Sequence, residues 1–262
     1  MEIDSVVSRR GVWILPAAGL VLGAPWLKPY FASSADAAVE SASWAPFRAS
    51  DLDTWARIAT SDSYQMFSLM QVLGMVCLLF GLFALYGNLA RGRSPRLALA
   101  GLILGVASLV PVFMMLGELS QAQPILATFY QNGINVCPSS LAEPGLVSRW
   151  GLSGGGAFCK WWWGPMSFQM AFPMNFLVWP GTALTLAFAI ARSGVVSEWA
   201  ALPFALAYWL CIQIYPPLTL VGGFLMVVVG VWIALQLNGG ATPLRSAHDA
   251  LPTASSAQEK QL

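Results

Sequence analysis

A chain of 262 residues that is 57% hydrophobic and only 10% charged, with a mean hydropathy of +0.64, falls in the polytopic membrane class and outside the composition of soluble or disordered domains. Its formal charge of +1 and scattered Lys and Arg offer no basic field for phosphate, which argues against nucleic acid as a partner. Twelve Trp and fourteen Phe supply the interfacial anchors that a multi-span protein places at both headgroup levels.

Arg9 and Arg10 precede the first charge-free window, Gly11 to Leu27. A span over 12–31 follows if Lys28 snorkels its ammonium to the surface while Trp26, Tyr30 and Phe31 sit at the headgroups. The competing reading is a cleaved signal peptide ending near Ala35-Asp36-Ala37, against which the aromatic, Lys-bearing stretch Trp26 to Phe31 stands between the apolar run and that site. The first outer loop, about 32–62, starts as a small-residue linker and changes at Ser50. Ser50 and Asp53 have the spacing of a capping box, Leu52, Trp55, Ile58 and Ala59 share one helical face, and Asp53 can pair with Arg57, so a surface helix is expected there, more plainly packed on the outer ends of the spans than serving as a recognition element.

The windows Ser63 to Ala90 and Leu97 to Gly117 give spans at 66–90 and 97–117. The second outer loop, about 118–168, holds Cys137 and Cys159 on the side where oxidation is permitted. They are expected to form a disulfide, worth roughly 3 kcal/mol on the chain-entropy model. Cys77 and Cys211 fall within spans and read as small apolar packing residues. Trp161, Trp162 and Trp163 come just before the next span, as interfacial anchors or as the aromatic wall of a ligand pocket.

The fourth span, 170–191, carries Pro173 and Pro180-Gly181 with Asn175 between them, and should kink or break. From Trp199 to Leu244 there is no charged side chain. As one helix this stretch would be roughly 70 Å long, more than twice the ~30 Å hydrocarbon core. It must turn back, and Tyr215-Pro216-Pro217 is where it does so, giving spans at 198–215 and 218–237. The tail beyond, 238–262, rich in Ala, Ser, Thr, Pro and Gln, reads as disordered.

Orientation follows from the short connections. Arg9, Arg10, Arg91, Arg93, Arg96, Arg192, Arg245 and Lys260 fall on one side; Lys28, Arg48, Arg57, Arg149 and Lys160 are diluted over long loops on the other. The positive-inside rule then puts both termini in the cytoplasm. The fold class expected is therefore all-α: a polytopic transmembrane helical bundle of six spans within 1–237, with an extracytoplasmic surface helix and a disulfide-closed outer loop. The absence of any N-x-[ST] sequon is compatible with a bacterial inner membrane.

Chemistry is bounded by what is missing. The one histidine, His248, lies in the tail, which removes a bis-His haem, a His-based zinc site in the membrane and a Ser-His-Asp mechanism. The chain has no P-loop, no GxGxxG and no CxxC, and no charge near the midplane of any expected span. No catalytic residue, metal site or cofactor is expected. Neutral polar groups remain, chiefly Gln71, Asn88, Gln169, Asn175, Thr182, Thr185 and Gln213, for which structural hydrogen bonds are the plainer role. Small residues recur at helix-contact spacing: Gly19 and Gly23, Gly101 and Gly105, Ala183 and Ala187, and Gly222, Gly230 and Ala234.

No family motif is carried by these residues. The leading functional expectation is a non-catalytic membrane protein acting through protein contacts, such as an accessory or assembly subunit, with membrane lipids and other membrane proteins as partners. The alternative is a transporter or binder of a neutral or lipid-like molecule that uses a broken fourth span, with Gln169, Asn175 and Trp161 to Trp163 as the candidate ligand-binding residues. A membrane-embedded enzyme would need acids such as Glu118 or Glu143 to converge on a pocket.

Overall fold

The computed structural model of the chain describes residues 9–27, 52–117, 120–121, 123–133, 178–213 and 216–239. The described residues form eight α-helices and no strand: α1 (Ile14–Gly23), α2 (Leu52–Ala59), α3 (Asp62–Leu89), α4 (Pro95–Gly117), α5 (Gln123–Gln131), α6 (Trp179–Ser193), α7 (Ala201–Cys211) and α8 (Pro216–Asn238), with 3-10 turns at Ala24–Leu27 and Glu198–Ala200.

Local sequence sets most of these boundaries. Ser61, in extended conformation, accepts a hydrogen bond from the Tyr64 N–H at 3.3 Å and so caps α3. Pro95 and Pro216 stand first in α4 and α8, where a missing N–H costs nothing. The apolar stretch after Trp199 does turn back at its prolines: α7 ends at Cys211 and α8 begins at Pro216. Gly194, at φ +66°, ends α6 in the left-handed conformation.

Six helices close into a ring in the order α1, α3, α4, α6, α7, α8 and back to α1, each packed on two neighbours. The close contacts fix the register. Glycines on α1 and α8 meet backbone to backbone: a Cβ on Gly19 would stand 2.5 Å from the Gly223 carbonyl oxygen, and one on Gly223 would stand 2.6 Å from the Gly23 Cα. Leu22 and Leu15 of α1 fill the space left by Gly74 and Gly81 of α3, and Leu186 of α6 and Leu82 of α3 lie over Gly101 and Gly105 of α4. Gly222 abuts the backbone of Leu210 and Cys211 at the α7–α8 corner. The small-residue faces expected from sequence are thus spent inside the chain, where close backbone approach substitutes for water exclusion as the source of helix association.

Among the described residues, four helical stretches are long and apolar enough to cross a membrane: Arg9–Leu27, Asp62–Leu89, Pro95–Met114 and Leu218–Asn238. Their outward faces carry an apolar belt that includes Leu20, Met66, Phe80, Ile103, Val110 and Val228. α6 and α7 are shorter, at 15 and 11 residues. The fifth helix therefore falls well inside the expected 198–215, because a 3-10 turn precedes it and Ile212 and Gln213 have already left the helix.

The two ends of the ring differ. At one end, α2 and α5 pack on each other and over Trp26, Tyr64 and Phe67, with Ala56, Ile58, Ala59 and Ala127 buried between them. The expected surface helix is present, from Leu52, and is packed on the ends of the spans: Ile58 and Ala59 of its apolar face are buried, and Asp53 accepts a hydrogen bond from the Tyr130 hydroxyl at 2.9 Å. α5 was not expected from the sequence. At the opposite end lie Arg9, Arg10, Arg91, Arg93, Arg96 and Arg192.

Candidate functional site

The residues that the sequence singles out for ligand binding, Gln169, Asn175, Trp161, Trp162 and Trp163, lie outside the described residues, as do Cys137 and Cys159 of the expected disulfide, Glu118 and Glu143, and the tail from 240 on. Pro173 lies outside them too. Pro180 is described, and it sits in the first turn of α6, where it does not interrupt the helix that follows.

Four of the neutral polar side chains singled out in the sequence, Gln71, Asn88, Thr182 and Thr185, donate to backbone carbonyls. Gln71, buried on α3, donates to the Leu22 carbonyl of α1 at 3.2 Å, and Asn88 donates to Ala84 at 2.8 Å. Thr182 donates to Val178 at 2.8 Å and approaches Leu104 of α4 at 3.4 Å, while Thr185 donates to Gly181 at 2.8 Å. Gln213, in the α7–α8 corner, differs: its backbone carbonyl accepts from the Thr219 hydroxyl, and its side-chain Nε2 is buried with no hydrogen-bond partner among the described residues. The other four have the structural roles expected of neutral polar groups between helices.

The most developed polar cluster was missed in the sequence. Tyr208 of α7 reaches across the interior of the ring to α4, where its hydroxyl lies 2.7 Å from the Ser108 Oγ and 3.1 Å from the Gly105 carbonyl. Ser108 approaches the same carbonyl at 2.8 Å, and the Trp179 indole of α6 donates to the Ser108 carbonyl at 3.0 Å. Three helices are thereby tied at one level, just before Pro111, whose ring leaves the Ala107 carbonyl without its intrahelical donor. A signal was available: a Tyr in the middle of an apolar span must find a partner for its hydroxyl. Every member of the cluster is buried and satisfied, so its chemistry is that of a packing lock.

An apolar recess of about 370 Å³ opens on the outside of the ring between α1 and α3, lined by Leu20, Val21, Ala24, Pro25, Met66, Phe67, Met70 and the one polar residue Ser63. It lies beside the stacked pair Trp26 and Phe67, whose rings meet edge to face at 4.5 Å. Among the described residues no group of three or more His, Cys, Asp or Glu converges in a way that could hold a metal ion.

What the fold and these sites define is a membrane-embedded type of protein, helical throughout its described residues, four of whose described helices are long and apolar enough to cross a bilayer. Comparison with protein-family models, with curated proteins and with solved structures gives no match, so the functional reading rests on the residues and their geometry.

Proposed function

We propose that this chain is a non-catalytic integral membrane protein of six spans, with both termini cytoplasmic, that acts through protein contacts made at its outer end, as an accessory or assembly subunit of a membrane complex. The observation that carries this reading is the docked outer layer. α2 and α5, which come from different loops, are joined by the Tyr130–Asp53 bond and by a Gln131–Thr60 contact at 3.3 Å over a common apolar floor. A ring whose glycines and polar groups serve its own packing works as a scaffold for that layer and for the segment 134–177 that follows it. A bacterial plasma membrane, an outside location for this layer and a Cys137–Cys159 bond belong to the same proposal.

The test is native mass spectrometry on the full chain taken from its own membranes into nanodiscs, without overexpression and without reductant. A stable heteromeric mass is expected, with a mass deficit of one disulfide in this chain. A lone chain in every preparation overturns the contact reading. The second reading, a binder of a neutral or lipid-like molecule, draws on the apolar recess beside Trp26, although that recess lies between α1 and α3 and not at the fourth span. It predicts a reproducible small-molecule adduct that Met70→Trp, Asn175→Ala or Gln169→Ala removes without loss of helicity.

A further inference from the structure

The connections at the arginine end are laced to one another. The Arg93 N–H donates to the Ser193 carbonyl at 2.9 Å, clipping the α3–α4 turn to the end of α6, and Gly92 lies against that same carbonyl. The Ser197 N–H donates to the Gln236 side chain of α8 at 2.8 Å, and Asn238 donates to the Arg9 carbonyl at 3.3 Å. Segments far apart in sequence are thereby fixed as one floor. Arg9, Arg10, Arg91, Arg93, Arg96 and Arg192 are all exposed on it. Among the described residues at this end, Glu198 is the one carboxylate.

Within this floor Arg93 is held more closely than an ordinary surface arginine. Its side chain lies along Gly194, so that a Cβ there would stand 3.4 Å from the Arg93 Nε and 3.8 Å from its Cζ. Gly194 is left-handed at φ +66° and offers the guanidinium a flat, side-chain-free seat. Arg192 is two residues away on the last turn of α6, and Arg96 stands in the first turn of α4. Five and eight residues beyond Gly194, Trp199 is 77% exposed and Leu202 72% exposed, an aromatic and an aliphatic side chain of the kind that sits where headgroups meet hydrocarbon.

We infer that Arg93, Arg96 and Arg192 form a binding site for the phosphate of an anionic phospholipid, with Trp199 and Leu202 against its glycerol and upper acyl region. Charge complementarity selects this occupant: a planar guanidinium presents paired donors to phosphate oxygens, and among the described residues at this end the concentrated positive charge meets only one carboxylate, Glu198. A basic niche between helix ends, at the level of the headgroups, is where such lipids are held. A zwitterionic lipid brings its own ammonium into the same field and gains less. This inference needs the helices to lie in a bilayer but does not depend on the chain being a subunit of a complex.

The experiment uses the full chain, delipidated in neutral detergent, with phosphatidylglycerol, phosphatidylcholine or inorganic phosphate added, read by native mass spectrometry and by thermal unfolding. The wild type should retain phosphatidylglycerol about tenfold more than phosphatidylcholine, a preference that falls with ionic strength, and should unfold at higher temperature only with the anionic lipid. Arg93→Gln with Arg192→Gln should lose most of this preference, and either single variant part of it, whereas Arg57→Gln, which removes one positive charge at the other end, should keep it. Equal retention of the two lipids by the wild type overturns the proposal without recourse to any variant. So does full retention by the double variant, and so does equal protection by inorganic phosphate, which would mark a free-anion site.

Discussion

Tyr208 shows how a single residue ties the interior together. Its hydroxyl and that of Ser108 share the Gly105 carbonyl in a triangle of short contacts. Tyr208→Phe should destabilise the fold by about 0.5–2 kcal/mol, the range for a buried hydrogen bond that is worth less in a bilayer than its isolation suggests. Ser108→Ala should cost less, because the Tyr208 hydroxyl keeps the Gly105 carbonyl. A double-mutant cycle by reversible unfolding in mixed micelles checks this; independent, additive effects would mean the hydroxyls are not coupled. Glycines divide in the same way by what surrounds them. Gly223→Ala drives a methyl into Gly23 and Gly19 and should cost about 1–3 kcal/mol by overpacking. Gly181→Ala meets nothing within 4 Å and should be neutral or gain up to ~1 kcal/mol from helix propensity.

At the scale of elements, α2 depends on its neighbours for its place. Eight residues make too short a helix to persist alone in water, so burial of Ala56, Ile58 and Ala59 against α5, Trp26 and Phe67 is what keeps it in place. Ile58→Ala should release it, at roughly 2–4 kcal/mol of local stability. Tyr130→Phe, which removes an exposed hydrogen bond, should cost under about 1 kcal/mol. Hydrogen exchange over 52–59 distinguishes the two: strong deprotection is expected in Ile58→Ala and little in Tyr130→Phe. The helix itself was legible from the Leu52, Trp55, Ile58, Ala59 face, and so was its packing on the outer ends of the spans, but its partner α5 was not, since one nine-residue apolar stretch in a long loop is too short to show a helical period.

For the whole molecule, neighbouring helices of the ring run in opposite directions, as Leu22 at Gly74 and Leu15 at Gly81, or Gly19 at Gly223 and Pro16 at Gly230, show, so all six arginines of the short connections arrive at one end. With Cys137 and Cys159 replaced, a membrane-impermeant maleimide on intact cells should label a cysteine placed at Asn132 and should not label one at Arg96. Labelling of both or neither would break the six-span topology. The candidate site was legible only in part: the neutral residues Gln71, Asn88, Thr182 and Thr185 could be named from sequence as structural donors, yet the lock of Ser108 with Tyr208 and Trp179 joins positions up to 103 residues apart and leaves no periodic trace.

The amino-acid sequence by itself determined the helical class, the helices of the apolar windows, the turn at Pro216 and Pro217, and the clustering of arginine in the short connections. These follow from local properties: backbone groups in an apolar solvent must bond within their own segment, and proline withholds a donor wherever it stands. Tertiary structure alone decided which helices are neighbours, that Gly19, Gly23 and Gly223 meet one another, that Tyr208 crosses the ring, and that Arg93 rests on Gly194 beside Arg192. Each of those depends on the distance between residues remote along the chain, and in lipid that distance is set by how closely backbones can approach, a property of pairs of helices that neither one carries alone.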